Sequence, residues 1–168
     1  MQFIQSVNHL TMIIGRGVRW LSLMMVLATC MVVFLRYVTN TPSIALQEAI
    51  MYCHAALFML GSAYAWQQGS HVRVDILYRN WSAVTQRRIN RLGILAFVIP
   101  TCLFLLLMSW QYVGNAWRIQ ETSPEASGLP FVYLLKTLIL IMPILILWQS
   151  IAEFFRPLNA AQQEGPHD

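Results

Sequence analysis

The sequence predicts an all-α integral membrane protein with four transmembrane helices. Of its 168 residues, 57% are hydrophobic and only 11% are charged, and the mean hydropathy is +0.54. Soluble domains carry about 25% charged residues, so this chain has too little polar surface to stay dispersed in water. The stretch from Ala49 to Val72 contains no Asp, Glu, Lys or Arg. Such a run is long enough to cross a bilayer core of about 30 Å.

Apolar runs of this kind divide the chain into four spans, and we treat residues 1–168 as a single membrane domain. Their lengths suit helices that cross the bilayer, although the first run is short. The polar residues at the C-terminus lack the apolar content of a packed element, so we expect disorder there. The predicted spans cover residues 20–36, 43–68, 92–117 and 131–155, and the polar tail covers residues 157–168.

The segment before the first span predicts an amphipathic helix on the membrane surface. Its apolar residues recur at helical spacing; they are Phe3, Ile4, Val7, Leu10, Ile13 and Ile14. The apolar run after Arg19 continues too far for a cleaved signal peptide, so we expect a retained first span. Arg19 and Arg36 can lengthen this short span by reaching toward the headgroups.

The other three spans carry local signals for their starts and for helix contacts. Thr41 followed by Pro42 predicts the start of the second span, and Ser82 can cap the helix before the third. The third span is uncharged for 26 residues, so it must tilt, kink at Pro100 or project beyond the membrane. Pro143 predicts a bend in the fourth span. Small residues in the second span predict close helix packing; they are Gly61, Ser62 and Ala65, next to Ala63.

The distribution of basic residues predicts that both termini are cytoplasmic. With the N-terminus inside, eight basic residues lie on the inner side and three on the outer side, and the excess marks the cytoplasm. The inner set is Arg16, Arg19, Arg73, Arg79, Arg87, Arg88, Arg91 and Arg156, and the outer set is Arg36, Arg118 and Lys136. Because these residues flank apolar runs, the net charge of +4 indicates membrane topology rather than nucleic-acid binding.

Few side chains could carry chemistry. Lys136 lies about 9 Å along the fourth span, where it must reach outward or pair with an acid. Glu121 or Glu125 could supply that acid; a contact with a partner protein and a role in a transport path are the alternatives. Glu48 lies near the N-terminus of its helix, where the helix dipole stabilises an anion, or it contacts a partner.

A polar cluster of His71, Arg73 and Asp75 follows the second span. These residues alternate with apolar ones, which favours a short extended or interfacial segment, or an ordinary positively charged loop. His54 and His71 lie on one span or its end, which argues against a pair that sandwiches haem. The chain has no phosphate-binding loop, no nucleophile elbow and no cysteine–histidine metal pattern. We therefore expect no enzymatic activity and no cofactor or metal in this chain.

Several of these segments resemble the small membrane subunit, DctQ-type, of tripartite ATP-independent periplasmic (TRAP) transporters. The matching residues are Gln47 and Glu48, Gly61–Ala65 (GSAYA), Gly69–Asp75 (GSHVRVD), Ser123–Pro130 (SPEASGLP), Lys136 and Gln149. The likeness covers nearly the whole chain in size, number of spans and orientation. Gln67 and Gln68 stand where the family often has a basic residue.

The resemblance implies a transport complex in a bacterial inner membrane. A large membrane subunit, DctM-type, would move an organic acid inward by sodium symport, and a periplasmic binding protein would deliver the acid. Sodium and substrate sites would belong to the large subunit, which this chain would scaffold. Residues on the periplasmic side could touch either partner; they are Glu48, Arg118, Glu121, Glu125 and Lys136. His71, Arg73 and Asp75 would brace the cytoplasmic end.

Two other functions stay open at the level of sequence. One is the membrane anchor of a respiratory enzyme complex, which visible absorbance of a bound haem would reveal. The other is a self-sufficient small transporter that acts as an oligomer. Uptake by the chain alone in liposomes would support the second alternative. Few polar groups lie in the spans, which argues against an independent pathway for ions or solutes.

Overall fold

The computed structural model describes residues 2–68 and 82–155. Within these two ranges the chain is helical and contains no β-strand. The helices are α1 (Gln2–Val18), α2 (Trp20–Tyr37), α3 (Ile44–Gln67), α4 (Ala83–Gly93), α5 (Ile99–Arg118) and α6 (Val132–Phe154), and a π-helical segment, Ile94–Val98, joins α4 to α5. Four helical stretches are long and apolar enough to cross a membrane. The predicted all-α membrane fold is confirmed.

The second span is capped by a different residue from the one that the sequence suggested. Ser43, not Thr41, is the N-cap of α3, because its extended backbone lets its Oγ accept from the Leu46 N–H at 3.3 Å. Thr41 instead closes α2: its N–H donates to the Leu35 carbonyl at 3.0 Å, across the left-handed Asn40 (φ 52°). This bond joins residues six apart, one more than in the Schellman type of helix ending.

The third span departs from regular α-helix just before Pro100. Proline lacks the N–H that would bond the carbonyl of Ala96, and its ring would collide with that carbonyl. The chain widens there into the π-helical segment, in which the Ile99 N–H donates to the Ile94 carbonyl. The predicted cap at Ser82 is confirmed, because its Oγ accepts from the Thr85 N–H at 3.3 Å.

The helix α6 lies at the centre of the bundle. It packs against α5, α3 and α1, and α3 in turn packs against α6, α2 and α1. The helix α2 packs mainly on α3, and α5 packs mainly on α6, so these two helices form the flanks. Pro143 is fully buried inside α6, and the helix continues through it from Val132 to Phe154.

The helix predicted at the N-terminus forms, but a different face of it is buried. Val7, Thr11, Gly15 and Val18 recur at helical spacing and are buried, and α1 packs on α3 and α6. Leu10 and Ile13, predicted to belong to the apolar face, are exposed. A Cβ on Gly15 would lie 2.7 Å from the Cβ of Tyr64, so only glycine permits this approach of α1 to α3.

The bundle has two ends, which we name by what they contain. The loop end holds the α2–α3 connection, residues 38–43, and the α5–α6 connection, residues 119–131. The terminal end holds α1 together with the C-terminal ends of α3 and α6. The polar cluster of His71, Arg73 and Asp75 and the tail 157–168 lie outside the described residues.

Candidate functional site at the loop end of the bundle

The α5–α6 connection is a compact loop held by its own backbone. The Ser123 N–H donates to the Leu129 carbonyl at 3.2 Å, and the Gly128 N–H donates to the Glu125 carbonyl at 3.0 Å. The loop leaves α5 through Gln120, whose φ of 49° is left-handed. These contacts close residues 123–129 into a small ring that faces the start of α3.

The carboxylate of Glu48 binds this ring. Its Oε2 accepts the Leu129 N–H at 2.6 Å, and its Oε1 accepts a short hydrogen bond from the Ser123 hydroxyl. Glu48 is half-buried on the first turns of α3, where the helix dipole also stabilises its charge. The carboxylate therefore fastens the α5–α6 loop to α3, although the loop and this helix are far apart in sequence.

Gly128 leaves the space that this contact needs. A Cβ at this position would lie 2.5 Å from the Cβ of Ser123 and 2.8 Å from Oε1 of Glu48. Real Cβ atoms essentially never approach other heavy atoms below 3.0 Å. Because the obstructing atoms are a Cβ and a bonded carboxylate, they have little freedom to move away. Glycine is therefore required next to the Glu48 contact for reasons of space.

A second ionic contact lies on α6. The ammonium of Lys136 donates to both carboxylate oxygens of Glu121, at 2.6 and 2.7 Å, and lies 4.0 Å from the centre of the Tyr112 ring. The Lys136 side chain is 15% exposed and the Glu121 side chain is 30% exposed. The ion pair is therefore largely shielded from solvent but still accessible to water. The internal pair that the sequence suggested for Lys136 is confirmed with Glu121.

Aromatic side chains also cluster at this end of α5 and α6. Trp117 donates from its indole N–H to the Thr137 hydroxyl at 2.8 Å, and its ring meets that of Tyr133 edge-on at 4.8 Å. The centre of the Phe131 ring lies 6.5 Å from that of Tyr133. Tryptophan and tyrosine rings favour the boundary between lipid and water. The position of these rings therefore favours a loop end that lies at the membrane surface.

The remaining predicted residues at this end point away from these contacts. Arg118 and Glu125 are exposed. Glu125 takes part in the loop through its backbone: its N–H donates to Ser123 Oγ at 3.2 Å and its carbonyl accepts from the Gly128 N–H. Of the five predicted interface residues, the structure ties Glu48, Glu121 and Lys136 into internal contacts. Whether any of the five contacts a partner stays a prediction.

A comparison with known protein families assigns the chain to a family. The family described as "Tripartite ATP-independent periplasmic transporters, DctQ component" matches residues 25–160. The chain belongs to the DctQ family. No characterised protein and no solved structure matched the chain in the same comparisons. The DctQ family is a family of transporter subunits, so this protein is the small permease subunit of a TRAP transporter.

The match to the DctQ family contains the whole candidate site and leaves out α1 and the start of α2. Residues 25–160 include Glu48, the ring 123–129 and the Lys136 pair. Sequence reasoning on this DctQ protein missed Ser123 and Leu129 as the partners of Glu48. The segment SPEASGLP contained both, but one of the two groups is a backbone N–H, which no side-chain pattern reveals.

The small residues of α3 in this DctQ subunit do not all pack within the chain. Ala63 is buried at 2% exposure, whereas Ser62 and Ala65 are half-buried. The Ser62 hydroxyl donates to the Met59 carbonyl of its own helix at 2.8 Å. A Cβ on Gly61 would meet no atom within 4 Å. The close approach predicted at Gly61 is therefore not made by the described part of this chain.

Proposed function

We propose that this DctQ protein scaffolds the large membrane subunit, DctM-type, of its transporter. That subunit would take up an organic acid by sodium symport, and a periplasmic binding protein would supply the acid. One observation carries the proposal. Glu48 and Lys136, which lie in the first turns of α3 and α6 at the loop end, are bound within the chain, while the apolar surface of the spans stays exposed.

The exposed surface needs lipid or another membrane protein to cover it. None of the 18 residues of α2 is buried. Exposed large side chains also cover α5, among them Phe104, Leu107 and Met108. A bundle with so much outward apolar surface suits a subunit that is embedded beside a larger one.

The polar groups give little support to a pathway through this chain. No Asp, Glu, Lys or Arg lies between Ala49 and Val72 or between Leu92 and Trp117. Glu48 and Lys136 are bound to the α5–α6 loop and to Glu121. Charged residues that line transport paths face a cavity or a bundle interior. We therefore assign the substrate and sodium sites to the large subunit and no cofactor to this chain.

The orientation completes the proposal. The excess of arginine near the terminal end favours a cytoplasmic position for that end, which places the loop end in the periplasm of a bacterial inner membrane. Arg118 and Glu125 are exposed there and are available to the binding protein or the large subunit. Glu48, Glu121 and Lys136 would then act by shaping the α5–α6 loop.

Co-purification tests the scaffold. The tagged chain is extracted from its native membrane in mild detergent, and accompanying proteins are identified by mass spectrometry. We expect a stoichiometric partner with ten or more predicted spans. A chain that purifies alone as a stable oligomer and takes up solute in liposomes would overturn the proposal. A Soret absorbance band would instead support the anchor of a respiratory enzyme.

A further inference from the structure

One face of α3 is exposed along most of the helix. Gln47, Met51, His54, Phe58 and Gly61 follow one another at intervals of four and three residues, so they lie on one side of the helix. Met51 is 51% exposed and Phe58 69%, and Gln47 and His54 are also exposed. We call these five residues the α3 stripe.

His54 lies near the middle of the membrane. It is the eleventh of the 24 residues of α3, so it lies about 15 Å from the start of a helix of about 36 Å. The described residues give its imidazole no hydrogen bond. Hydrocarbon cannot supply one, and polar groups at this depth almost always face protein or a water-filled cavity.

Gly61 lies on the same stripe, about two turns from His54, and like Gly114 on α5 it has open space beside it. Nothing lies within 4 Å of a Cβ built on it, so no packing within the described chain requires a glycine there. Glycine destabilises the interior of a helix relative to alanine. In membranes, exposed glycine on a helix allows the backbone of another helix to approach closely.

The exposed face of α2 lacks these features and serves as a contrast. Its Ser22 hydroxyl donates to the Arg19 carbonyl at 2.6 Å, and its Thr29 hydroxyl donates to the Met25 carbonyl at 2.7 Å. Both polar groups are satisfied by their own helix and can face lipid at little cost. The imidazole of His54 makes no such bond to the described residues of its own helix.

We propose that the α3 stripe is the surface on which a transmembrane helix of the large subunit packs. That helix presents a hydrogen-bonding side chain or a free backbone carbonyl to His54, and it approaches most closely at Gly61. Phe58 and Met51 provide apolar contacts on either side of the imidazole. This assignment rests on the proposed function, because it names the face through which the scaffold holds its partner.

Substitutions on the stripe test the assignment in the native complex. Gly61→Leu fills the close approach, and we expect recovery of the large subunit with the tagged chain to fall about tenfold or more. Gly114→Leu is the matched control, since a Cβ on Gly114 of α5 also meets nothing within 4 Å; it should leave recovery unchanged. Equal recovery for both variants, or a loss confined to Gly114→Leu, overturns the assignment.

The direction in which a substitution of His54 changes recovery of the large subunit distinguishes a protein partner from lipid. We expect His54→Leu to lower recovery about threefold, as loss of one interhelical hydrogen bond would, and His54→Gln to restore most of it. If the stripe faced lipid, leucine would improve insertion and leave recovery unchanged or higher. Thermal unfolding of each variant in detergent checks that the fold is retained.

Photo-crosslinking identifies the occupant directly. A benzoylphenylalanine placed at Phe58 should form an adduct with the large subunit, while the same probe at Leu27 of α2, which is 62% exposed, should not. An adduct with a second copy of this chain or with lipid alone overturns the assignment but leaves the scaffold intact. Absence of the large subunit from the unsubstituted preparation would instead overturn the proposed function.

Discussion

The two ends of the bundle are held together by different chemistry. At the loop end the contacts are ionic: Glu48 binds the α5–α6 loop and Lys136 binds Glu121. At the terminal end the buried contacts that hold α1 are between neutral groups. Thr11 donates to Gln149 Oε1 at 3.0 Å, Gln149 donates to Asn8 Oδ1 at 3.1 Å, and Gln67 donates to the Asn8 carbonyl at 3.1 Å.

The degree of burial differs in the same way. Gln149 is 2% exposed and Thr11 4%, whereas Glu48 and Glu121 retain partial access to solvent. Complete burial of an ion costs several kcal/mol even when it is paired, but a neutral amide with its hydrogen bonds made costs far less. The comparison shows that the deepest polar contacts between helices use neutral groups, and the charges remain where water or headgroups can reach them.

The largest effect that this comparison predicts is at Glu48. Glu48→Ala removes two charge-assisted hydrogen bonds and leaves the Leu129 N–H without its acceptor, so the free energy of unfolding should fall by about 2–4 kcal/mol. Thermal or denaturant unfolding in detergent measures the change. Glu125→Ala in the same loop is the control: its exposed side chain should contribute within about 0.5 kcal/mol. Similar losses for the two variants would show that Glu48 does not hold the loop.

The second prediction concerns the unequal exposure of the Lys136 pair. Glu121→Gln leaves an ammonium on a side chain that is 15% exposed, whereas Lys136→Met leaves a carboxylate that is 30% exposed and can take up water. We therefore expect Glu121→Gln to destabilise the protein by about 1–3 kcal/mol, and Lys136→Met by less. The same unfolding assay measures both, with the double variant closing a thermodynamic cycle. A larger loss for Lys136→Met would mean that its cation–aromatic contact with Tyr112 dominates.

Sequence was sufficient for the spans and for the ionic contact on α6. Uncharged runs of this length form helices in hydrocarbon, because a helix satisfies its backbone hydrogen bonds internally, and four helical stretches long enough to cross a membrane are present. Two of these stretches extend beyond the apolar runs, since α1 precedes α2 and α4 precedes α5. Lys136 was conspicuous because a lone cation at that depth needs a partner. The partner turned out to be Glu121 and not Glu125, a choice set by the loop's path and not by residue type.

The same reasoning from the sequence could not predict the contacts between neutral side chains. Asn8, Thr11 and Gln149 look like ordinary polar residues in apolar surroundings, and nothing in their spacing says that they meet across 138 or 141 positions of sequence. The buried face of α1 is the one that contains Gly15 and the residues of these contacts. It is not the face that carries the most apolar residues. Hydrophobic patterning finds a helix in a membrane protein, but it does not identify the side that faces protein.

The smallest predicted effect tests whether the neutral network holds α1. Gln149→Leu removes the hydrogen bonds to Thr11 and Asn8, and because such bonds in membranes average about 0.6 kcal/mol each, the loss should be about 1 kcal/mol. Hydrogen exchange of the α1 amides should rise, since α1 docks through this residue. Ser150→Ala is the matched control: Ser150 is equally buried, but its hydroxyl donates to Ile146 of its own helix. Faster exchange in both variants would mean that packing against α6, and not the amide network, fixes α1.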